Sequence, residues 1–309
     1  MLHTKSTPTG WLAFDLNILR RLKFDSVSMP FTPNPVLGTY LKRYGVRVLA
    51  NDLLQSAWTR SIASIQNNAE RLSDEDVNVI LEDVYVPRHR LQNAALRNWF
   101  NETDSWWFDN VRRNLDRVQS PFAFAIGASL TMAVGDYVQS FNDDTGEIRQ
   151  PLSNVFRRLW MALPEPVNNG QNNTCQNKGI GDFIAENPAD LMFLRLPPPR
   201  SETRIGFPAR AVWKEEWLRG GSDFWADVDT VRNGNLGMLV ETKSQYLQLL
   251  EDTLRRASHI KRWAISHVET GFISTQDIVD SIGRVRRPEA IYTKDFSELT
   301  GTKAVIVTV

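Results

Sequence analysis

The chain has 309 residues, 42% hydrophobic and 23% charged, enough apolar content for a packed core under a well-hydrated surface. Formal net charge is zero, which excludes a globally basic nucleic-acid or membrane binder and leaves only a local patch for such a role. Cys175 is the only cysteine, so an internal disulfide and a cysteine-based zinc cage are excluded, and a reducing cytosol is the expected setting.

The N-terminus lacks the basic-then-apolar pattern of a signal peptide. No uninterrupted run of about 18 apolar residues is seen, so no membrane-spanning helix is expected. Residues 1–23 begin polar and turn helical, with Trp11, Leu12, Phe14, Leu16, Ile18, Leu19 and Leu22 on one broad face. Ser26-Val27-Ser28-Met29 reads as a short strand ending at Pro30-Phe31-Thr32-Pro33-Asn34-Pro35. A helix over 36–44 closes at Gly45, and Val46-Arg47-Val48-Leu49-Ala50 is a second strand capped by Asn51-Asp52. Strand, helix, glycine and strand in this order define a βαβ unit and hence a parallel sheet.

From residue 53 to about 163 the periodicity predicts helices at 53–71, 74–81, 88–101, 105–117, 122–141 and 151–162, with a turn at Asp143-Asp144-Thr145-Gly146. Trp106-Trp107 is the densest cluster among ten tryptophans. More than 100 helical residues are too many for a simple crossover and imply an inserted lobe. Residues 164–178 read as an asparagine-rich loop. Asp190-Leu191-Met192-Phe193-Leu194-Arg195-Leu196 is a buried strand running into Pro197-Pro198-Pro199. Ligands of open α/β sheets bind beyond the carboxyl ends of strands, so this strand end is a candidate site, yet its residues offer no nucleophile and no side-chain base. Residues 197–223 read as a long loop holding Trp213 and Trp217. Then come a helix near 244–259, a strand at 261–267, a helix at 275–282, a strand at 290–292 and a final strand over 303–309. The histidines have no metal-like spacing, and no P-loop or nucleophile elbow is present.

This order resembles the D12-class, Dam-like adenine-N6 DNA methyltransferases. Three regions carry the resemblance: Met29-Pro30-Phe31-Thr32-Pro33-Asn34-Pro35 with the following helix, strand and Ala50-Asn51-Asp52; the strand ending Leu196-Pro197-Pro198-Pro199; and Trp263-Ala264-Ile265-Ser266-His267-Val268-Glu269-Thr270-Gly271. That family has Asp-Pro-Phe-x-Gly-x-Gly at the first, Asp-Pro-Pro-Tyr at the second and Leu-Ser-Tyr-Ser-Ser-x-Gly at the third. The resemblance implies an α/β fold of the class I methyltransferase (Rossmann-like) type, with a mostly parallel seven-stranded sheet. It also implies a methyltransferase-like domain over 1–52 and 164–309 and a helical insertion over 53–163 that resembles a target-recognition region. Asp52 is similar to the acid that holds the cofactor ribose, and Asp182 to an acid near the cofactor base.

The departures fall at the chemistry. Pro33 and Pro35 stand in place of the loop glycines, beside Phe31, and proline adds bulk and removes an amide donor. Leu196 replaces the aspartate that, with the next carbonyl, accepts hydrogen bonds from the adenine amino group. Pro199 replaces the tyrosine that stacks on the flipped base. Lys5 is a poor match to the family's N-terminal lysine motif. The expectation is therefore a pseudo-methyltransferase without a bound cofactor, a DNA-binding or assembly subunit of the kind found in restriction, modification or defence complexes. Its implied partners are double-stranded DNA and a protein subunit. Arg195 and Arg200, bracketing the prolines, and Arg112-Arg113 are the candidate phosphate contacts. One rival is an active, S-adenosylmethionine-dependent enzyme using Asp182 or Glu186. The other is a protein-interaction module whose crevice is filled by Leu196, Pro33 and Pro35 and which has no basic face.

Overall fold

A computed structural model describes residues 9–142, 145–199, 205–269, 271–300 and 302–309. Arg200, Lys5, Asp143 and Asp144 lie outside them. Helix α1 (Thr9–Leu19) precedes β1 (Ser26–Met29), α2 (Val36–Arg43) and β2 (Arg47–Asn51). Gly45, at φ +84°, takes the left-handed turn that ends α2 and lets the Val46 amide reach the Leu41 carbonyl. A helical lobe follows: α3 (Gln55–Ser61), α4 (Asp74–Ile80), α5 (Glu102–Leu115), α6 (Pro121–Val138) and α7 (Leu152–Met161). Then come β3 (Thr174–Gln176), α8 (Ile180–Glu186), β4 (Leu191–Arg195), α9 (Ala209–Arg219), α10 (Trp225–Arg232), α11 (Lys243–Arg256), β5 (Arg262–Val268), α12 (Thr275–Gly283), β6 (Ala290–Asp295), α13 (Ser297–Thr300) and β7 (Lys303–Thr308).

The seven strands form one sheet in the order β3-β2-β1-β4-β5-β7-β6. Neighbours from β3 to β5 pair in parallel, and β7 runs antiparallel to both β5 and β6. The fold is therefore α/β with a mostly parallel seven-stranded sheet, compatible with a Rossmann-like class. Leu191 to Leu194 of β4 are all buried, Leu191 and Phe193 in one hydrophobic cluster and Met192 and Leu194 in another, as expected of a strand covered on both faces.

Several elements differ from the sequence reading. The stretch 88–101 is not a helix: residues 83–93 form a loop, followed by a short 3-10 turn at Ala94–Asn98. The asparagine-rich loop contains β3, and Asp182 lies in helix α8. The expected loop at 197–223 contains α9, whose Trp213 and Trp217 are fully buried in the core of the helical lobe. The lobe is thus built from the insertion and from a helix that follows β4. Helix α6 is long and apolar enough to cross a membrane by length and composition, against the expectation. In this structure 61% of the helix is buried, and it packs with α5, α7 and α9 in the lobe.

Close approach of α9 to α6 depends on one missing methyl group. A Cβ on Gly135 would stand 2.2 Å from the Trp213 ring. Trp217 donates its indole N–H to the Phe108 carbonyl at 3.0 Å, which fixes the helix against α5. Gly135→Ala is expected to cost about 1–3 kcal/mol through overpacking. Urea denaturation followed by tryptophan fluorescence checks this, and an unchanged midpoint would contradict the packing.

Candidate functional site

In strand order, the chain leaves β1 toward β2 and β3 and returns to β4 on the other side, so the switch point lies between β1 and β4. That is where an open α/β sheet forms its ligand crevice. Two loops flank it, residues 30–35 after β1 and residues 196–199 after β4.

The first loop is tied down by side chains of its own and of β2. The Thr32 amide donates to the Asn51 carbonyl at 2.9 Å, and its hydroxyl donates to Met29 at 3.0 Å. The Asn51 amide group donates to the Pro30 and Lys178 carbonyls and accepts from the Lys178 N–H. Asn51 thereby stitches the carboxyl ends of β1, β2 and β3 together. Arg60 from α3 donates to the Pro33 carbonyl. Pro35 is buried at the start of α2 and Pro33 is exposed.

The second loop is closed from behind. Leu196 is buried, and its amide extends the β4 pairing to the Ser266 carbonyl at 2.8 Å. The Tyr246 hydroxyl, on α11, donates to the Pro197 carbonyl at 2.8 Å, and Tyr246 itself is buried. Gly237, at φ +105°, sits across the gap: a Cβ there would lie 3.2 Å from the Phe31 ring and 3.9 Å from Pro197. Leu236 and Val240 on either side are buried in the same cluster as Leu196, with Phe31 packed against it. Residues 236–240 therefore act as a plug over the switch point. Pro198 is exposed and Pro199 buried.

Asp52 is buried, and its Oδ1 accepts the Leu54 amide at 3.0 Å, a turn that leads into α3. Burial pushes its carboxyl up to about 7, helped by nearby Glu215 and opposed by the Leu54 amide and Arg60. Glu215 is fully buried. It accepts the Gln55 and Ser56 amides, each at 2.8 Å, and the Arg219 guanidinium at 2.6 Å, so it caps α3 from α9. Asp182 is exposed and lines a separate cleft of about 460 Å³ with Leu53, Lys178, Glu186 and Arg219. Asp52 does not line that cleft, although its neighbour Leu53 does. Among the described residues, no group of three metal-ligating side chains comes together.

The candidate phosphate contacts separate. Arg195 pairs with Asp15 of α1 and lies over the Trp11 ring, so it is engaged within the protein rather than offered to a phosphate. Arg112 donates to the Leu218 carbonyl and to Asp116, which uses it inside the lobe. Arg113 lines an open cleft of about 1050 Å³ that sequence reasoning had not singled out, together with Arg88, His89, Arg90 and Arg97. The signal was present as Pro87-Arg88-His89-Arg90, but a helix over 88–101 would have scattered those side chains. Tyr246 and Gly237 were also missed, because their role depends on contacts with residues distant in sequence.

No family model matches the chain, and no curated protein matches it.

The raised carboxyl of Asp52 has a measurable consequence. The folded chain binds this proton more tightly than the unfolded chain, whose carboxyl titrates near its ordinary value of 3.8. Folding therefore takes up a proton between those limits, and stability falls as pH rises toward 7. Asp15, raised to about 6 by burial against the pull of Arg195, contributes with the same sign. Asp52→Asn keeps an oxygen for the Leu54 amide and removes the titration. Its melting temperature is expected to fall less than that of the parent chain between about pH 5 and about pH 8. Parallel melting curves for the two proteins would contradict this assignment.

Proposed function

We propose that the chain is a catalytically inactive, methyltransferase-like protein that serves as a DNA-binding or assembly subunit. The observation that carries this reading is the state of the Pro197 carbonyl. In the Dam-like enzymes the corresponding carbonyl and the preceding aspartate accept the adenine amino group, and a tyrosine stacks on the base. Here Tyr246 already donates to that carbonyl, the preceding residue is a buried leucine, and the tyrosine position is a buried proline. A site that lacks its acceptors loses several kcal/mol of the stabilisation needed by the reacting group, about tenfold in rate for each 1.4 kcal/mol.

The residues gathered at the switch point do not fit S-adenosylmethionine. Pro33 and Pro35 supply no amide donors, Phe31 and Gly237 close the space beside Pro197, and one carboxylate oxygen of Asp52 is taken by Leu54. The sheet supports the resemblance at the level of architecture, since a mostly parallel seven-stranded sheet with a large helical lobe is what the family implies. DNA binding is favoured over a pure interaction module by the arginine-lined cleft of the lobe.

The test is transfer of a labelled methyl group from S-adenosylmethionine to duplex DNA rich in adenine sites. No incorporation above the protein-free blank is expected. Multiple turnovers would overturn the reading and restore an active enzyme with a divergent site.

A further inference from the structure

We infer that the cleft lined by Arg88, Arg90, Arg97 and Arg113 grips the phosphodiester backbone of an intact nucleic-acid duplex, without extrusion of a base. The inference deepens the DNA-binding part of the proposed function and rests on it, in that a chain without turnover acts through what it holds.

Three observations support this surface. The first is charge. The four cationic residues lining the cleft are all arginines, His89 lies among them, and Glu102 is the only acid in the lining. Arg113 is neutralised by Asp109 at 2.8 Å. Arg88, Arg90 and Arg97 are exposed, and among the described residues none of the three forms an ion pair. Other described arginines, among them Arg157, Arg158 and Arg287, also lack a carboxylate partner, and what distinguishes these three is that they line one cleft. Planar guanidinium groups free of acids are the side chains best matched to phosphate oxygens.

The second observation is that the loop is held in place by buried polar side chains. Asp109, buried on α5, accepts the Gln92 and Asn93 amides at 3.0 and 2.9 Å. Asn110, also buried, donates to the Val84 and Val86 carbonyls and accepts from Arg88 Nε at 3.1 Å. Two adjacent residues of one helix therefore fix a non-helical loop on both sides of its arginines. A surface ordered before binding loses less entropy on binding.

The third is that, among the described residues, neither this cleft nor the switch point presents a tryptophan, tyrosine or phenylalanine face to a flipped base. Trp106, the tryptophan of the lining, is only 7% exposed and offers no open face for stacking, which leaves the His89 ring as the exposed aromatic group of the cleft. The switch-point crevice is closed by Phe31, Gly237 and Pro197. Contacts are therefore expected with the backbone of a duplex whose bases stay paired.

Fluorescence anisotropy with the full chain and a labelled 20-base-pair DNA duplex over a salt series tests this, with duplex RNA, the single strand and poly-glutamate as further arms. The triple variant R88A/R90A/R97A removes exposed side chains and should bind about tenfold more weakly or worse, with a salt slope shallower by about 2.7. Glu102→Gln should bind more tightly than the parent, a readout that holds even if the triple variant misfolds. A 2-aminopurine at an adenine site should not brighten on binding. Binding of DNA or RNA duplex with these changes supports the inference and names the source of the backbone. No duplex binding, an unchanged triple variant, a preference for the single strand, equal affinity for poly-glutamate or a bright 2-aminopurine each overturns it. Methyl transfer is read separately, so the inactive-enzyme reading and this one can fail independently.

Discussion

The Tyr246 hydroxyl and the Pro197 carbonyl meet where the sheet reverses its direction of growth, and the rest of the candidate site depends on that bond. It joins α11 to the loop after β4, and thereby draws residues 236–240 across the crevice. Gly237 can lie against Phe31 and Pro197 because it has no side chain and tolerates a φ of +105°. Leu196, Leu236, Val240 and Tyr246 then share one buried cluster. A position that sheet topology makes available for a ligand is here part of the hydrophobic core.

Polar residues near the switch point have been turned to the same structural purpose. Asn51 joins three loops, Thr32 folds the β1 loop onto β2, and Asp52 starts α3. Glu215 reaches from α9 to the other end of that turn and satisfies amides that a helix start leaves open. The lobe is attached to the sheet through these contacts, while Trp213 and Trp217 hold α9 within the core of the lobe. Its arginine cleft shares no lining residue with the switch point, so surface chemistry and crevice are separate features of the molecule.

Much of the sheet was legible because β1, β2, β4, β5 and β7 are short apolar runs between turn signals, and buried parallel strands consist of little else. Gly45 and the N-cap Ser73 with its Asp76 partner mark helix ends through local chemistry. β3 was hidden because it has three residues, and its place is fixed by remote groups: Asn173 accepts the Val48 amide, and Gln66 accepts that of Cys175. The basic loop was mistaken for helix because Leu91, Leu96 and Phe100 have nearly helical spacing, while Asp109 and Asn110, which hold the loop, follow in the next helix. Helix α9 was masked by flanking proline, arginine and glycine, although Trp213 and Trp217 are one turn apart. At the candidate site, Leu196, Pro33 and Pro199 were readable as departures from the motifs the chain resembles, but Gly237 and Tyr246, which close on Phe31 and Pro197, lie about 40 and 50 residues beyond Pro197, and only the folded chain brings them there.

A calorimetric titration of the full chain with S-adenosylmethionine tests the closure of the crevice most directly, because it asks whether the space exists before any chemistry is required of it. No saturable heat is expected with S-adenosylmethionine in the millimolar range, far above the concentration a working cofactor site needs. A stoichiometric isotherm with a micromolar Kd would contradict the closure, since binding would require residues 236–240 to leave Phe31 and Pro197.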